Sequence, residues 1–145
     1  MSFKADAKTE WNGPLAIKDF DKAMFRSLNE GADIVLSQAK ALAPSDIAEL
    51  RGSLTKQVTA ANAVVGTNVE YAPYVEFGTR PHAAPISALQ GWADRHGIPV
   101  GAVWMSIKRK GTKAQPFLLP SLTANIRKII AVFKKNNIKV KWVFK

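Results

Sequence analysis

Apolar positions along this chain change period several times, and each change marks an element. From Asp19 to Leu42, Phe20, Met24, Leu28, Val35, Ala39 and Leu42 recur at spacings of three, four or seven, which puts them on one face of a helix. At 1.5 Å per residue that helix spans roughly 35 Å. Asp19 and Asp21 fall in or beside its first turn and Lys40 near its last, as the helix dipole favours. Gly31 interrupts the middle and permits close packing, and Pro44 stops the helix. Upstream, Trp11-Asn12-Gly13-Pro14-Leu15 contains a turn signal. Residues 1–17 therefore read as a loosely held arm with a short edge strand around Leu15 to Lys18. Trp11 either docks on a neighbour or covers its own core. Downstream, Asp46 to Leu50 predicts one capped turn closed by Gly52. Ser53 to Thr59 alternates loosely, Ala60-Ala61-Asn62 turns, and Ala63 to Thr67 returns, which together predict a hairpin.

The densest stretch is Tyr71-Ala72-Pro73-Tyr74-Val75-Glu76-Phe77-Gly78-Thr79-Arg80. A helical turn fits it best, with Pro73 at a first helical position where a missing N–H costs nothing and Gly78 as the left-handed residue that ends it. Tyr74, Val75 and Phe77 cannot all face one core from so short a turn. At least one ring must pack against another element or another subunit. After a loop fixed by Pro81 and Pro85, Ile86 to His96 predicts a helix with Ile86, Leu89, Trp92 and Ala93 on its apolar side, closed by Gly97. Ala102 to Lys110 predicts a second, with Val103, Trp104 and Ile107 inward and Gly111 as its cap. Pro116 to Pro120 bridges into a last helix, Ser121 to Lys134, whose stripe is Leu122, Ile126, Ile129, Ile130 and Phe133. Asn136-Asn137 turns the chain. Ile138 to Lys145 then alternates apolar residues with lysine in all but one position, as a half-buried edge strand would.

Charge changes this picture more than composition does. The 145 residues are 47% hydrophobic and 22% charged, which describes an ordinary globular domain and one rather than two. The net charge of +10 is unevenly spread. Residues 1–94 hold nine lysines and arginines against all eleven acids, a net of −2, whereas residues 95–145 hold twelve cations and no acid. An anionic partner for the C-terminal part, either DNA or an acidic protein surface, is one reading; a solvated lysine face that aids solubility is the other. Lys108, Arg109, Lys110 and Lys113, beside Trp104, form the densest cluster, without a helix-turn-helix or zinc-finger pattern around it.

Three blocks, taken in order, resemble a known family. Tyr71 to Thr79 is similar to a "Y-A-x-Y-V-E-F-G-T" block, and Gln115-Pro116-Phe117-Leu118-Leu119-Pro120-Ser121-Leu122 to "Q-P-F-L-x-P-A-L", with Ser121 in place of alanine. Ala43 to Leu54 looks like "A-P-x-D-T-G-x-L-R-x-S-I", departing at Ile47 and Ala48. These are blocks of phage head–tail joining proteins, also called tail-completion, neck or minor tail proteins. The resemblance covers roughly Phe20 to Phe133. It implies a structural virion protein, a subunit of a ring at the capsid–tail junction. Its partners would be copies of itself, portal or adaptor proteins, and tail-tube or tail-terminator proteins. Its place would be the neck or tail of the virion, after assembly in the host cytoplasm. The candidate interface residues are Tyr71, Tyr74, Glu76, Phe77, Gly78, Thr79, Arg80, Pro116 and Phe117. The other reading of each is core of a single subunit.

Candidate chemistry is sparse. The absence of cysteine excludes disulfides and thiolate metal sites. No apolar run reaches the roughly 18 residues of a membrane span, and the N-terminus lacks a signal-peptide core. His82 and His96 lie on different elements, too few and too far apart for a zinc site. No serine sits in a nucleophile elbow, and no glycine pattern makes a nucleotide loop. Glu76, between Val75 and Phe77, reads as structural, accepting backbone N–H bonds or pairing with Arg80 or Arg51. A metal-dependent nuclease would rest on the thin pair Glu70 and Glu76. The expectation is therefore a single α+β domain over residues 1–145, not an enzyme, with no cofactor, metal or catalytic residue. A small antiparallel sheet would be packed by the long N-terminal helix and the C-terminal helix, with an inserted short helix pair. The alternative function is a nucleic-acid-binding module using the basic C-terminal region, in non-specific contact with DNA.

Overall fold

The structure is a computed structural model that describes residues 13–44 and 48–138. One helix supports most of it. α1, Gly13–Leu42, runs for 30 residues and stops two residues before Pro44, as the proline requires. It begins earlier than periodicity suggests. Leu15 to Lys18 is helical, not an edge strand, and Asp19 and Asp21 lie past a first turn that holds no acid. Gly13-Pro14 is a helix start rather than a turn, because proline is as well placed in a first helical turn as in a loop. The apolar face is buried only from the middle onward, at Ala32, Val35 and Ala39, while Phe20 and Leu42 are exposed.

α2, Ala48–Ser53, carries one residue past Gly52, where it was expected to end. It leads into β1, Thr55–Val58, and β2, Ala63–Gly66, which pair antiparallel from Thr55↔Gly66 to Val58↔Ala63. The Thr59 hydroxyl accepts from the Ala61 and Asn62 amides and so closes the turn. α3, Ala72–Phe77, is the short helix of the aromatic stretch, with proline in its first turn. α4, Ile86–His96, and α5, Val100–Lys110, form the expected helix pair. Ile107 and Ala93 are buried, whereas Ile86 is exposed.

The last predicted helix is in fact two. α6, Leu118–Thr123, and α7, Ile126–Lys135, are separated at Ala124-Asn125. Asn125 is buried, and its side-chain amide donates to the Ser121 carbonyl at 2.8 Å. That bond pulls the chain into a corner, as asparagine does where it competes with the helical ladder. α7 lies against α1 with Asn136 Nδ2 donating to Ser27 Oγ at 2.8 Å. Ile129 sits 3.4 Å from where a side chain at Gly31 would begin, the close approach that glycine allows.

The hairpin, α6 and α7 all pack on α1. The core cluster is Ala39, Ala43, Leu50, Leu54, Ala72 and Phe117, with Leu36, Val69, Tyr71, Val75 and Leu118 packed around it. The fold is thus mostly helical with one small antiparallel sheet, an α+β arrangement. The alternating stretch expected as a C-terminal strand lies outside the described residues from Lys139 onward, as does Trp11.

Candidate functional site: an acid that joins two sequence blocks

Glu76 explains why the two aromatic blocks belong together. Its side chain is buried. Oε2 accepts the amides of Phe117 at 2.8 Å and Leu118 at 2.9 Å, and Oε1 accepts the amide of Leu119 at 2.9 Å. Those three amides open α6, where helical N–H groups have no partner in their own helix. A negative charge there also meets the positive end of the helix dipole. The backbone-acceptor role expected for Glu76 is therefore found, and neither Arg80 nor Arg51 is used for it. The Arg51 guanidinium donates instead to the Ala43 carbonyl at 3.0 Å.

Burial would push the Glu76 carboxyl up, but the three amide bonds outweigh it and hold the group below its ordinary value of 4.5. The sign of the pH effect follows. A carboxyl depressed in the folded state contributes its full stability above the unfolded value and loses it as pH falls through the folded one. Urea midpoints measured from pH 7 to pH 3 should fall below about pH 4.5. The fall should be shallower in Glu76→Gln, and an equal slope in both proteins would show that other carboxyls carry it.

A second junction lies just beyond. Thr79 and Thr112 form an isolated antiparallel bridge. The Thr79 amide donates to the Thr112 carbonyl at 3.1 Å. Thr79 Oγ1 accepts the Thr112 amide at 3.0 Å and lies 3.0 Å from Thr112 Oγ1. The Gln115 amide donates to the Val75 carbonyl at 2.8 Å. Everything between, α4 and α5 included, hangs from this neck as a lobe. Gly78 (φ 69°, ψ −178°) and Gly111 (φ 72°, ψ −161°) flank it, in a region open essentially to glycine alone. Gly78 thus has the positive φ expected of it, with an extended ψ in place of a helical one.

α3 then stands between two grooves, and its period of 3.6 sorts its residues between them. Tyr71, Tyr74 and Val75 line a groove of about 1040 Å³ facing Leu89, Trp92 and Val103 of the lobe. Ala72, Pro73, Glu76 and Phe77 line one of about 820 Å³ facing α1, β2, α6 and α7. The expectation that the rings could not all share one core is met: Tyr74 is 62% exposed and Phe77 73%. Of the nine interface candidates, Glu76 and Phe117 are buried, and Tyr71, Gly78 and Thr79 are half-buried within the subunit. Tyr74, Phe77, Arg80 and Pro116 face outward. The Tyr71 hydroxyl donates to Glu49 at 3.3 Å, and burial, aided by that carboxylate, pushes the phenol up.

Lys108, Arg109, Lys110 and Lys113 are all exposed. The first three occupy the last turn of α5, where cations complement the dipole, and Lys108 Nζ lies 4.7 Å from the centre of the Trp104 ring. Among the described residues no three acids or histidines gather as a metal site would need. Among them too, no helix is long and apolar enough to cross a membrane. Leu122, exposed on the second groove, and Thr112 in the neck were not legible as candidates, whereas Leu119, exposed on the same groove, lies inside the Gln115 to Pro120 block. Only the block "Q-P-F-L" pointed near the leucines, and nothing local marks Thr112.

Residues 16–78 match the family described as "HK97-gp10_like: Bacteriophage HK97-gp10, putative tail-component". That span takes in α1 from its fourth residue onward, α2, the hairpin and α3, and it ends at Gly78, one residue before the neck. No curated protein matches the chain, and no solved structure does. The resemblance to head–tail proteins of tailed phages is thereby supported through the first aromatic block, and over residues 16–78 this chain is similar to a family of bacteriophage tail components.

Proposed function

We propose that this protein is a non-enzymatic subunit of the head–tail junction of a tailed bacteriophage, working as one member of a ring that joins the filled capsid to the tail. The observation that carries this reading is the Glu76 junction. It makes one rigid platform from two blocks that resemble head–tail joining proteins, and it leaves Tyr74, Arg80 and Pro116 outward on that platform. Rings are built by heterologous contacts, in which one patch meets a different patch on the next copy. An exposed tyrosine beside an arginine, at the rim of an apolar groove, is the composition such patches favour. The buried residues of the two blocks, Glu76 and Phe117, serve the subunit's own fold, and the outward ones serve the neighbour.

Particles made without the protein test this directly. Filled heads and separate tails, with the protein detected in complete virions, are the expected result; infectious particles lacking it would end the proposal. Tyr74→Ala combined with Arg80→Glu should leave the melting temperature within a few degrees, because both side chains are exposed. The same variant should fail to restore infectivity, since losing an aromatic anchor costs about 2 kcal/mol at each interface and a ring repeats that loss.

The exposed cations at the end of α5 favour a second reading, contact with DNA or an acidic neighbour. Reversing Lys108, Arg109, Lys110 and Lys113 to glutamate should abolish binding to duplex DNA if phosphates are the target. The affinity of the unaltered protein should then fall steeply with salt. A shallow salt dependence leaves an acidic protein surface as the target.

A further inference from the structure

We propose that the start of α1 in one copy docks in the groove between α3 and the lobe of the next copy, with Ile17, Phe20 and Met24 inward. The contact gives the ring its two patches, and it rests on the ring reading. The face of α1 that carries the core does not stop where the body stops. Val35, about five turns on from Ile17 and so in line with it, is buried. α7 has ended by Ser27, where Asn136 bonds to it. Toward the start of the helix the same face meets water: Ile17 and Phe20 are 63 and 52% exposed, and Phe25 beside them 47%. Large apolar side chains clustered in water mark a contact surface. Ile17, Phe20 and Met24 fall at i, i+3 and i+7, the spacing by which an amphipathic helix anchors in a groove.

The groove lies at the opposite end of α1. It holds about 1040 Å³, and its apolar walls include Leu89, Trp92, Ile98 and Val103, with the exposed Tyr74 among them. Pro44, just past the helix, is also in its lining, whereas α1 supplies none of it. Ile17 stands 25 residues before Leu42, about 38 Å along the axis. α1 is one unbroken helix, so a chain cannot seat its own Ile17 in its own groove, and the occupant is a second copy. A helix start and a groove at opposite ends of one subunit make a heterologous contact, which repeats from copy to copy until the ring closes.

Charge selects this pairing. Arg80 and Lys113, both exposed, line the groove along with His82, and no aspartate or glutamate does. At about 3.6 residues per turn, Ala23, Phe20, Met24, Ile17, Asp21 and Phe25 succeed one another round one side of α1, and Asp21 is the one charge among them. Lys18, Lys22, Arg26 and Asp19 fall on the other side. Docked by its apolar side, the helix brings a carboxylate to a rim of cations and keeps its own cations in water. The groove beside β2 and α7 fits this helix less well. Its charged residues, Glu70 and Glu76, are both acids, and like charges across an interface oppose docking.

The test places photoreactive benzoylphenylalanine at position 20 of the full chain, where an exposed ring replaces an exposed ring. An equal mixture of unlabelled and nitrogen-15-labelled protein is irradiated at about 1 mM, where a contact with a Kd of about 1 mM is substantially formed. Cross-links that join the two isotopes and end on peptides holding Tyr74, Leu89 or Trp92 are expected. Asp21→Arg should cut their yield roughly tenfold by setting a cation against Arg80 and Lys113. The same change carried together with Arg80→Glu and Lys113→Glu should restore it. Lys22→Glu, exposed on the other side of the helix, should leave the yield unchanged. No cross-link between copies, or cross-links between copies that avoid the groove, would overturn the docking. Amine cross-linking in complete virions separates this contact from the ring. Copies joined to one another, but never from Lys18 or Lys22 to Lys113, would overturn the docking and leave the ring standing. Copies never joined to one another would end both.

Discussion

Glu76→Ala is expected to lower stability by about 4 kcal/mol, among the largest effects of any single substitution in this chain. The carboxylate accepts three amides at the start of α6. A hydrogen bond to a charged group contributes roughly 1.5–3 kcal/mol, and amides left unpaired in a buried site carry their desolvation cost as well. The three bonds act as one unit, so their sum overstates the loss. Glu76→Gln keeps one acceptor oxygen but turns an –NH2 toward backbone donors, and about 2–3 kcal/mol is the expected cost. For a domain of this size each kcal/mol moves the melting temperature by roughly 3–4 °C, so alanine should lower it by well over 10 °C. Thermal unfolding followed by circular dichroism checks this. Glu76→Asp is the informative control, because a shorter carboxylate keeps the charge and cannot reach all three amides. If it matched the unaltered protein, charge at the helix end would matter and geometry would not. A small loss with alanine would mean that water replaces the carboxylate and that the two blocks are not joined through it.

How much of this was legible in the sequence depended on whether the deciding interaction was local. Glu76 was legible as a structural acid because a carboxylate between Val75 and Phe77 has to find donors nearby. Its partners were not, since they lie 41 to 43 residues away. The helix pair α4 and α5 was legible because each helix is bounded by proline and glycine, whose effects are local. The corner between α6 and α7 was hidden because Leu122, Ile126, Ile129 and Phe133 stay in helical phase across it, and a buried asparagine breaks the ladder without breaking the pattern. The start of α1 was misplaced because Gly-Pro signals a turn and a helix start equally well. Tyr74 and Phe77 illustrate the limit at the site. The sequence shows that Tyr74, Val75 and Phe77 cannot all face one core, but only the packing of the lobe and of α6 shows that each ring borders a different groove.

Gly111→Ala should cost 3 kcal/mol or more, whereas the same change ten residues earlier should help. A Cβ at Gly111 would lie 1.9 Å from the Thr79 carbonyl oxygen and 2.8 Å from the carbonyl carbons of Thr79 and Arg80. Backbone cannot swing aside as a flexible side chain can, so the Thr79–Thr112 bridge has to open. The residue is also held at φ 72°, ψ −161°, where any side chain adds strain of about 1–3 kcal/mol. Gly101, inside α5, has nothing within 4 Å of its Cβ position. There alanine removes unfolded-state freedom and improves helix propensity, for a gain of roughly 0.5–1 kcal/mol. The two variants differ in where the loss falls as well as in sign. The lobe's own buried residues, Ala93 and Ile107, stand apart from the main cluster around Phe117. Opening the neck should therefore loosen α4 and α5 before it loosens α1. Amide exchange should show protection in residues 86–110 falling by about a hundredfold, the equivalent of roughly 3 kcal/mol, with a smaller loss along α1. Equal losses in both regions would mean that lobe and body unfold as one unit. Unchanged exchange in the lobe would mean that α5 re-seats around the new methyl group, and the neck would then not be what holds the lobe in place.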